Sequence, residues 1–492
     1  MYISTSWFLT HCYRHAVLLL MVISCIACSS APPPRPVDFD KTWQPQTVLS
    51  EVYLLPTAPE ALARRIEAVR QAKHYIQLEY FTWDHDLVGA YLYRELLNAA
   101  DRGVKVRLVL DDLMEFEDRW LVELAEHSNI HIRIFNPFDS RQLGWFSRAF
   151  NFQVAKQRLN HRLHEKFFNV DGEVMILGGR NIGDSYFGYS KKANFFDLDV
   201  MVKGESIREF ERNFQRLWSS EHVRDVWRVI KATPKANQAT FLADYLSIIK
   251  KRQPELQHIE QQIRQLTSPD YSTAEVMPLF DSLDKLTDSQ PYLRSRMQSV
   301  LGACLASSSS ILISTPYLVP SEDSFSSLKV LSDNGVALTL LTNSSASNDS
   351  PFVGAYYAKH REELAGLAHQ LFEYAKQAEH PDYYHQVKTY YHNKAFIVDQ
   401  RLSYIGSSNF DPRSNFLNME LGLLINSRTF ALQLKAYLLK NQQQRFWRVS
   451  LNEQQALVWQ KDQQLTNKNP GSSAFKRLSE RLYRLLNIKY DI

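Results

Sequence analysis

HEKFFNVDG at residues 164–172 and HNKAFIVDQ at residues 392–400 are two copies of one pattern, His-x-Lys followed after four intervening residues by Asp. The apolar residues between Lys and Asp mark a strand. Side chains alternate along a strand, so His164 and Lys166, and likewise His392 and Lys394, project from one face and present an imidazole and an ammonium together. Asp171 and Asp399 close the two patterns, and a Gly and an Asn follow each at matching distances, in Gly178-Gly179-Arg180-Asn181 and Gly406-Ser407-Ser408-Asn409. One such His/Lys/Asp triple has a chance probability on the order of 10⁻⁴ per position. Two with the same downstream Gly and Asn are a duplication.

The repetition extends upstream. YIQLEYF at residues 75–81 leads through a helical pattern to DRGVKVRLVL at 101–110, and ILISTPY at 311–317 leads in the same way to DNGVALTLL at 333–341. Each reads as strand, helix, glycine turn, strand, with Gly103 or Gly335 ending the helix in a left-handed cap. The Leu-rich and β-branched runs that follow suit strands buried on both faces, so the chain is α/β. His164 follows Gly103 by 61 residues and His392 follows Gly335 by 57. This predicts halves at 49–226 and 291–450, with 227–290, rich in Gln, Lys and Leu, as a helical linking subdomain that carries no chemistry, and an extension at 451–492.

Composition bounds the rest. The chain has 492 residues, 45% hydrophobic and 22% charged, which excludes disordered, collagenous and disulfide-framework classes. Its 57 Lys and Arg against 53 Asp and Glu leave +4, far from the basic excess of a dedicated nucleic-acid coat. Cys12, Cys25 and Cys28 lie at the N-terminus, which leaves Cys304 without an intramolecular disulfide partner in the body; its flanks, LGACL, predict a buried small hydrophobe.

AVLLLMVISCIAC, Ala16–Cys28, is an uncharged apolar run after Arg14, too short for the ~20 residues of a bilayer span. It reads as an export signal. Two sites in it, ending at Cys25 and at Cys28, resemble the lipobox of bacterial lipoproteins. Cys28 is the expected lipidation site, because SSAPPP follows it as an extended tether; residues 1–27 are then the signal peptide and 28–48 the tether. An uncleaved signal anchor is the alternative, and both place the chain at a membrane.

Two His, two Lys and two Asn gathered across a pseudo-twofold suit a phosphodiester. Lys and Asn stabilise charge on the non-bridging oxygens, while one His attacks phosphorus and the other protonates the leaving alkoxide. No acidic cluster with metal-ligand spacing accompanies them, so neither a metal nor another cofactor is expected.

These motifs resemble those of the phospholipase D superfamily, over essentially the whole chain after the tether. GGRNIGD at 178–184 with Tyr186-Phe187, Asp197-Leu198-Asp199, Leu341-Thr342-Asn343, Phe410-Asp-Pro-Arg-Ser414 and Asn418-Met419-Glu420 are similar to the bacterial cardiolipin synthase C branch. The resemblance implies two phospholipase D-like halves packed as a pseudo-twofold with one shared active site. It implies a membrane-associated phosphatidyltransferase that makes cardiolipin from phosphatidylglycerol and a second phospholipid through a phosphohistidine. His164 is the expected nucleophile and His392 the general acid/base, with Lys166 and Lys394 beside them. Asn181, Ser407 and Asn409 bind substrate phosphate, Asp171 and Asp399 complete the catalytic motifs, chiefly as structural support, and Glu420 orients a catalytic His across the site. Gly179 departs from the common Gly-Ser pair and matches this branch.

Hydrolysis to phosphatidic acid uses the same intermediate with water as acceptor and is the nearest alternative. A nucleic-acid phosphodiesterase is a third chemistry of the superfamily, against which the near-neutral charge and the leader argue; the partners expected are phospholipids and a membrane surface, not nucleic acid.

Three further stretches have two readings each. RQLGWFSRAF at 141–150 is a bilayer-dipping segment or a packed loop, and the basic amphipathic stretch at 475–486 a lipid-surface helix or one docked on the body. Asp111-Asp112, at a strand end, is structural or contacts a substrate hydroxyl.

Overall fold

The computed structural model describes residues 39–114, 119–139, 145–230, 241–376, 378–472, 474–485 and 488–491. The leader, Cys28 and the tether through residue 38 lie outside them.

Up to residue 225 the strands are β1 (Val48–Leu55), β2 (Tyr75–Tyr80), β3 (Lys105–Asp111), β4 (Ile130–Phe135), β5 (Arg162–Leu163), β6 (Phe167–Val170), β7 (Val174–Gly178), β8 (Asn194–Phe196), β9 (Asp199–Gly204) and β10 (Val223–Asp225). After them come β11 (Ser272–Phe280), β12 (Ser310–Ser314), β13 (Ala337–Asn343), β14 (Gln370–Tyr374), β15 (Thr389–Tyr391), β16 (Ala395–Val398), β17 (Leu402–Gly406), β18 (Asn418–Met419), β19 (Leu421–Asn426), β20 (Phe446–Leu451), β21 (Leu457–Lys461) and β22 (Gln464–Thr466).

Pairing runs β10, β4, β3, β2, β6, β7, β9, β1 on one side of a central seam and β11, β19, β17, β16, β12, β13, β14, β20 on the other, with β21 and β22 at the far edge. Counted outward from the seam, both halves show four antiparallel pairings, two parallel ones and one antiparallel. The seam is the antiparallel pair β1 and β11, with Val48 opposite Val276 and Val52 opposite Ser272. The expected pseudo-twofold of two α/β halves is therefore present strand for strand. A buried apolar cluster crosses the seam, with Val52 and Val200 from one half beside Val276, Phe372 and Leu423 from the other. Such a shared core binds the halves into one body, since its burial is lost if they separate.

The parallel units are built as the repeats predict. Helix Leu87–Asp101 joins β2 to β3 and helix Glu322–Asp333 joins β12 to β13; each ends at a glycine in the left-handed region, Gly103 at φ 96° and Gly335 at φ 82°.

Three expectations are corrected. The stretch 227–290 is only partly helical: helices Phe241–Lys251 and Gln253–Arg264 pack on the first half, with Arg70 pairing Glu260 at 2.9 Å, but Ser272–Phe280 is β11, the seam strand itself. Its alternation of exposed Thr273 and Glu275 with buried Ala274 and Val276 is that of a strand with one face in the core. The second half thus begins with β11, ahead of residue 291. Cys304, expected to be buried, is exposed on helix Tyr292–Ala306, which packs inward through Tyr292, Leu293, Arg296 and Leu301. The extension from 451 is more than a helix, since β21 and β22 lengthen the sheet before helix Ala474–Leu485.

Among the described residues, no helix is long and apolar enough to cross a membrane.

Candidate functional site

Two short parallel pairings, separate from the large sheet, bring the halves together at the motifs. β5 pairs with β18 and β8 pairs with β15, so each pairing takes one strand from each half. His164 and Glu420 are the residues that follow β5 and β18, and the amide of His164 donates to the carbonyl of Met419 at 3.0 Å. Asp197 and His392 follow β8 and β15, and the amide of His392 donates to the carbonyl of Phe196 at 2.9 Å. Each histidine is delivered beside a carboxylate of the other half.

The contacts are direct. His164 Nδ1 lies 2.9 Å from both carboxylate oxygens of Glu420, and His392 Nδ1 lies 2.6 Å from Asp197 Oδ2. A carboxylate at Nδ1 fixes the tautomer that carries its proton there and leaves Nε2 to react, and at His392 Lys394 Nζ also lies 3.2 Å from Nε2. Lys166 Nζ donates to the carbonyl of His164 at 2.6 Å, and Lys394 Nζ to that of His392 at 2.8 Å, so both lysines fold back over their own histidines. Phe81 stands edge-on to the His164 ring at 5.6 Å, while Phe195 and Tyr186 wall the His392 ring at 5.0 and 5.6 Å.

Burial and like charges set the protonation. His164 is pushed well below the usual imidazole value by burial and by the charges of Lys166, Lys394 and His392, three groups that converge on it from both halves. His392 is lowered by burial and Lys394, with Asp197 opposing. Burial brings Lys166 down to about 7 and lowers Lys394 as well. The carboxylates differ: burial pushes Glu420 up to about 7, whereas Asp197, despite its burial, is held below its ordinary value by His392 and Lys394. Two ammonium groups, two imidazoles and two carboxylates in a desolvated pocket make a receptor for a phosphodiester anion, with two nitrogens available for attack and proton transfer.

The remaining motif residues divide. Asp171 and Asp399 are not at this centre, which corrects their grouping with the catalytic residues. Asp171 accepts from the amides of Lys73, His74 and Tyr75 at 2.7 to 2.8 Å, and Asp399 from the amides of Ser309 and Ser310 at 3.0 and 2.8 Å; both sit at the far ends of β6 and β16 with positive φ. Each ties its hairpin to the start of the neighbouring parallel strand. Ser407 is buried and donates its hydroxyl to Glu420, which also accepts from Ser414 at 2.9 Å and Asn418 at 3.3 Å. Asn181 accepts from the amide of Thr82 at 3.3 Å and donates to Tyr186 Oη at 2.9 Å, positioning the ring beside His392. Asn409 Oδ1 is buried without a protein partner. Asp111 is structural, accepting from the amides of Leu113 and Leu163 at 2.7 and 2.8 Å and pairing with Arg162.

Gly179 has a steric reason. A Cβ there would lie 2.3 Å from Asp197 Oδ1, so the first half has no room for the serine that its counterpart Ser407 supplies. Asp197 is the residue that sequence reasoning missed. It stood in a quoted motif, but its partner is 195 residues away. The equivalence of FFDL before β9 and NMEL before β19 was the available signal.

The family model for the cardiolipin synthase phospholipase D-like domain matches residues 66–218 and 302–441. The chain is 31% identical over 468 residues to cardiolipin synthase C of Escherichia coli K12, covering 89% of this chain and 95% of that protein. It is 25% identical over 387 residues to a cardiolipin synthase of Geobacillus kaustophilus, covering 77% and 64% of the two chains. In fold it is similar to the crystal structure of phosphatidylserine synthase from Haemophilus influenzae, with a TM-score of 0.58, 16% identity and 90% and 97% of the two chains covered. With its duplicated half-sites joined into one centre, this chain belongs to the cardiolipin synthase family of phospholipase D-type enzymes.

Proposed function

We propose that this chain synthesises cardiolipin at a membrane of the bacterial cell envelope by moving a phosphatidyl group from phosphatidylglycerol to the hydroxyl of a second phospholipid. The observation that carries it is the reciprocal pair His164–Glu420 and His392–Asp197, which leaves two Nε2 atoms at one doubly cationic centre. His164, depressed by burial and by the charges of Lys166 and Lys394, is neutral and attacks phosphorus through Nε2, forming the P–N bond. His392 acts as the imidazolium, its Nδ1–H held by the ionised Asp197, and gives its Nε2 proton to the departing glycerol oxygen as the P–O bond breaks, which leaves it neutral. The acceptor hydroxyl then passes its proton to His392, its oxygen bonds to phosphorus, and the P–N bond breaks to release the diphosphatidyl product. Lys166 and Lys394 hold the phosphoryl oxygens throughout, and the side-chain N–H of Asn409 donates to the same group. Lipidation of Cys28 anchors the chain.

Lipid analysis of a cardiolipin-deficient bacterium tests this. Cardiolipin restored by the wild type and by neither His164→Ala nor His392→Ala is the expected result. Phosphatidic acid rising in its place means that water is the acceptor, and no change in either lipid with the protein in the membrane overturns the proposal.

A further inference from the structure

Four large apolar side chains stand in solvent on two helices distant in sequence: Phe150 and Val154, 73% and 71% exposed, and Leu478 and Leu482, 56% and 55% exposed. Within each pair the residues are four apart on a helix, Trp145–Val154 or Ala474–Leu485, and so share one face. Both helices are held from their other sides. Arg148 is buried, donates to the carbonyl of Asp112 and stacks 4.5 Å from Phe138. Tyr483 packs on Phe352 at 4.6 Å, and Glu480 is buried. The outward apolar faces therefore belong to fixed helices, and monomeric surfaces seldom keep such groups clustered without a use.

The C-terminal tail connects the two. Asp491 pairs with Lys156 at 3.2 Å and accepts from Asn160 at 2.7 Å, just beyond the first helix, and the amide of Ile488 donates to Tyr356 Oη at 3.2 Å on helix Pro351–Leu367, against which the second helix packs. Both helices also lead to the catalytic centre. The first runs through residues 156–163 into His164; the second rests on a helix that starts two residues after Asp349, whose charge bears on His392 and Lys394. The apolar pairs thus lie on elements linked to the site, one in each half.

Charge selects the occupant. Residues 145–159 hold no acid, but Arg148 is buried and Lys156 and Arg158 pair with Asp491 and Asp139, so the cationic excess lies on the second helix, where residues 474–485 hold four basic residues and one acid, the buried Glu480. Apolar groups bordered by cations fit an anionic lipid surface better than an apolar protein groove. We infer that these two helices form the docking face for a bilayer with anionic head groups and seat the mouth of the catalytic site on it; this rests on the phosphatidyl transfer proposed above.

The test places an environment-sensitive fluorescent amino acid at position 150, 482 or 105 of the full chain and adds vesicles of phosphatidylglycerol and phosphatidylcholine. Lys105 is a control, because it starts the strand that ends beside the site and stands among the basic residues Arg107, Arg208 and Arg212 without exposed apolar neighbours. Blue-shifted emission at 150 and 482, quenched by lipids brominated high in the acyl chain, with no change at 105, is expected. Emission at 150 and 482 that stays aqueous on vesicle-bound protein, or that matches position 105, overturns the inference. Separately, Phe150→Asp with Leu482→Asp lowers turnover on vesicles by about tenfold or more and leaves turnover of monomeric short-chain phosphatidylglycerol unchanged. Unchanged turnover on vesicles overturns the docking face. Wild-type protein inactive on both substrates counts against the phosphatidyl transfer instead, and the fluorescence then decides the docking face alone.

Discussion

The two half-sites share a plan and differ in their acids. Glu420 meets His164 within a fence of donors, Ser407, Ser414 and Asn418, and is pushed up to about 7 by burial; Asp197 meets His392 with Gly179 in place of a serine beside it, accepts from the amide of Leu198 at 2.8 Å, and stays ionised. An ionised carboxylate favours imidazolium, whereas one that titrates near neutrality favours it less. This difference supports the proposed division of labour, with His164 attacking and His392 carrying the proton.

Removing the rings breaks the comparison most severely. His164→Ala and His392→Ala each cost about 10⁴-fold or more in cardiolipin formation, measured on purified protein. Only His392→Ala still forms a covalent phosphatidyl enzyme with a p-nitrophenyl phosphodiester, whose leaving group departs without a proton; label trapped on the His164→Ala protein instead would reverse the assignment.

The acids come next. Asp197→Asn and Glu420→Gln each lower kcat by about 10²–10⁴-fold, as expected when a histidine loses the group that fixes its tautomer. Their pH profiles separate them. Glu420 takes up a proton as pH falls through about 7 and then ceases to accept the Nδ1 proton of His164, so wild-type kcat/KM declines on the acid side of that point. That limb flattens in Glu420→Gln and persists in Asp197→Asn, and the reverse pattern would assign it to His392.

Gly179→Ser, which forces the second half's solution onto the first, displaces Asp197 and reduces kcat by about 10–100-fold, while Ser407→Gly costs less because Ser414 and Asn418 still hold Glu420. Equal losses in both variants would remove the steric account of Gly179.

The smallest catalytic effect is that of the two motif aspartates. Asp171→Ala and Asp399→Ala leave kcat within about threefold and destabilise the fold by about 1–3 kcal/mol, read by denaturant unfolding, since each strips a carboxylate from backbone amides. Both carboxyls are held below their ordinary value by those donors, so their contribution is present above pH ~4 and is lost as pH falls through the depressed folded value.

Much of this was legible in the residues. Period-two alternation marked β6 and β16, although His164 to Lys166 and His392 to Lys394 precede those strands instead of lying on them, and Gly103 and Gly335 punctuated the parallel units, because both signals are local. β11 was obscured because it follows Gln-rich helices and contains Pro278, a residue that argues against a central strand. Cys304 was misread because a helix touching the body through a few residues leaves small apolar positions in water. The partnership of Asp197 with His392 depends on the short pairing of β8 with β15, which no spacing along the chain discloses.

The antiparallel seam between β1 and β11 has a bearing on how the two half-sites can differ. Strands meeting across a twofold in this way are what two identical subunits would form, so the seam has the geometry of a homodimer interface within one chain. In a homodimer every change falls on both half-sites at once. In one chain the two copies can differ, and here one carries Gly179 and Asp197 where the other carries Ser407 and Glu420. Neither half can be inherited alone, because each carries the acid of the other's histidine. Cutting the chain within residues 231–240 and expressing the fragments together would recreate a two-subunit stoichiometry, with activity returning only when both are made.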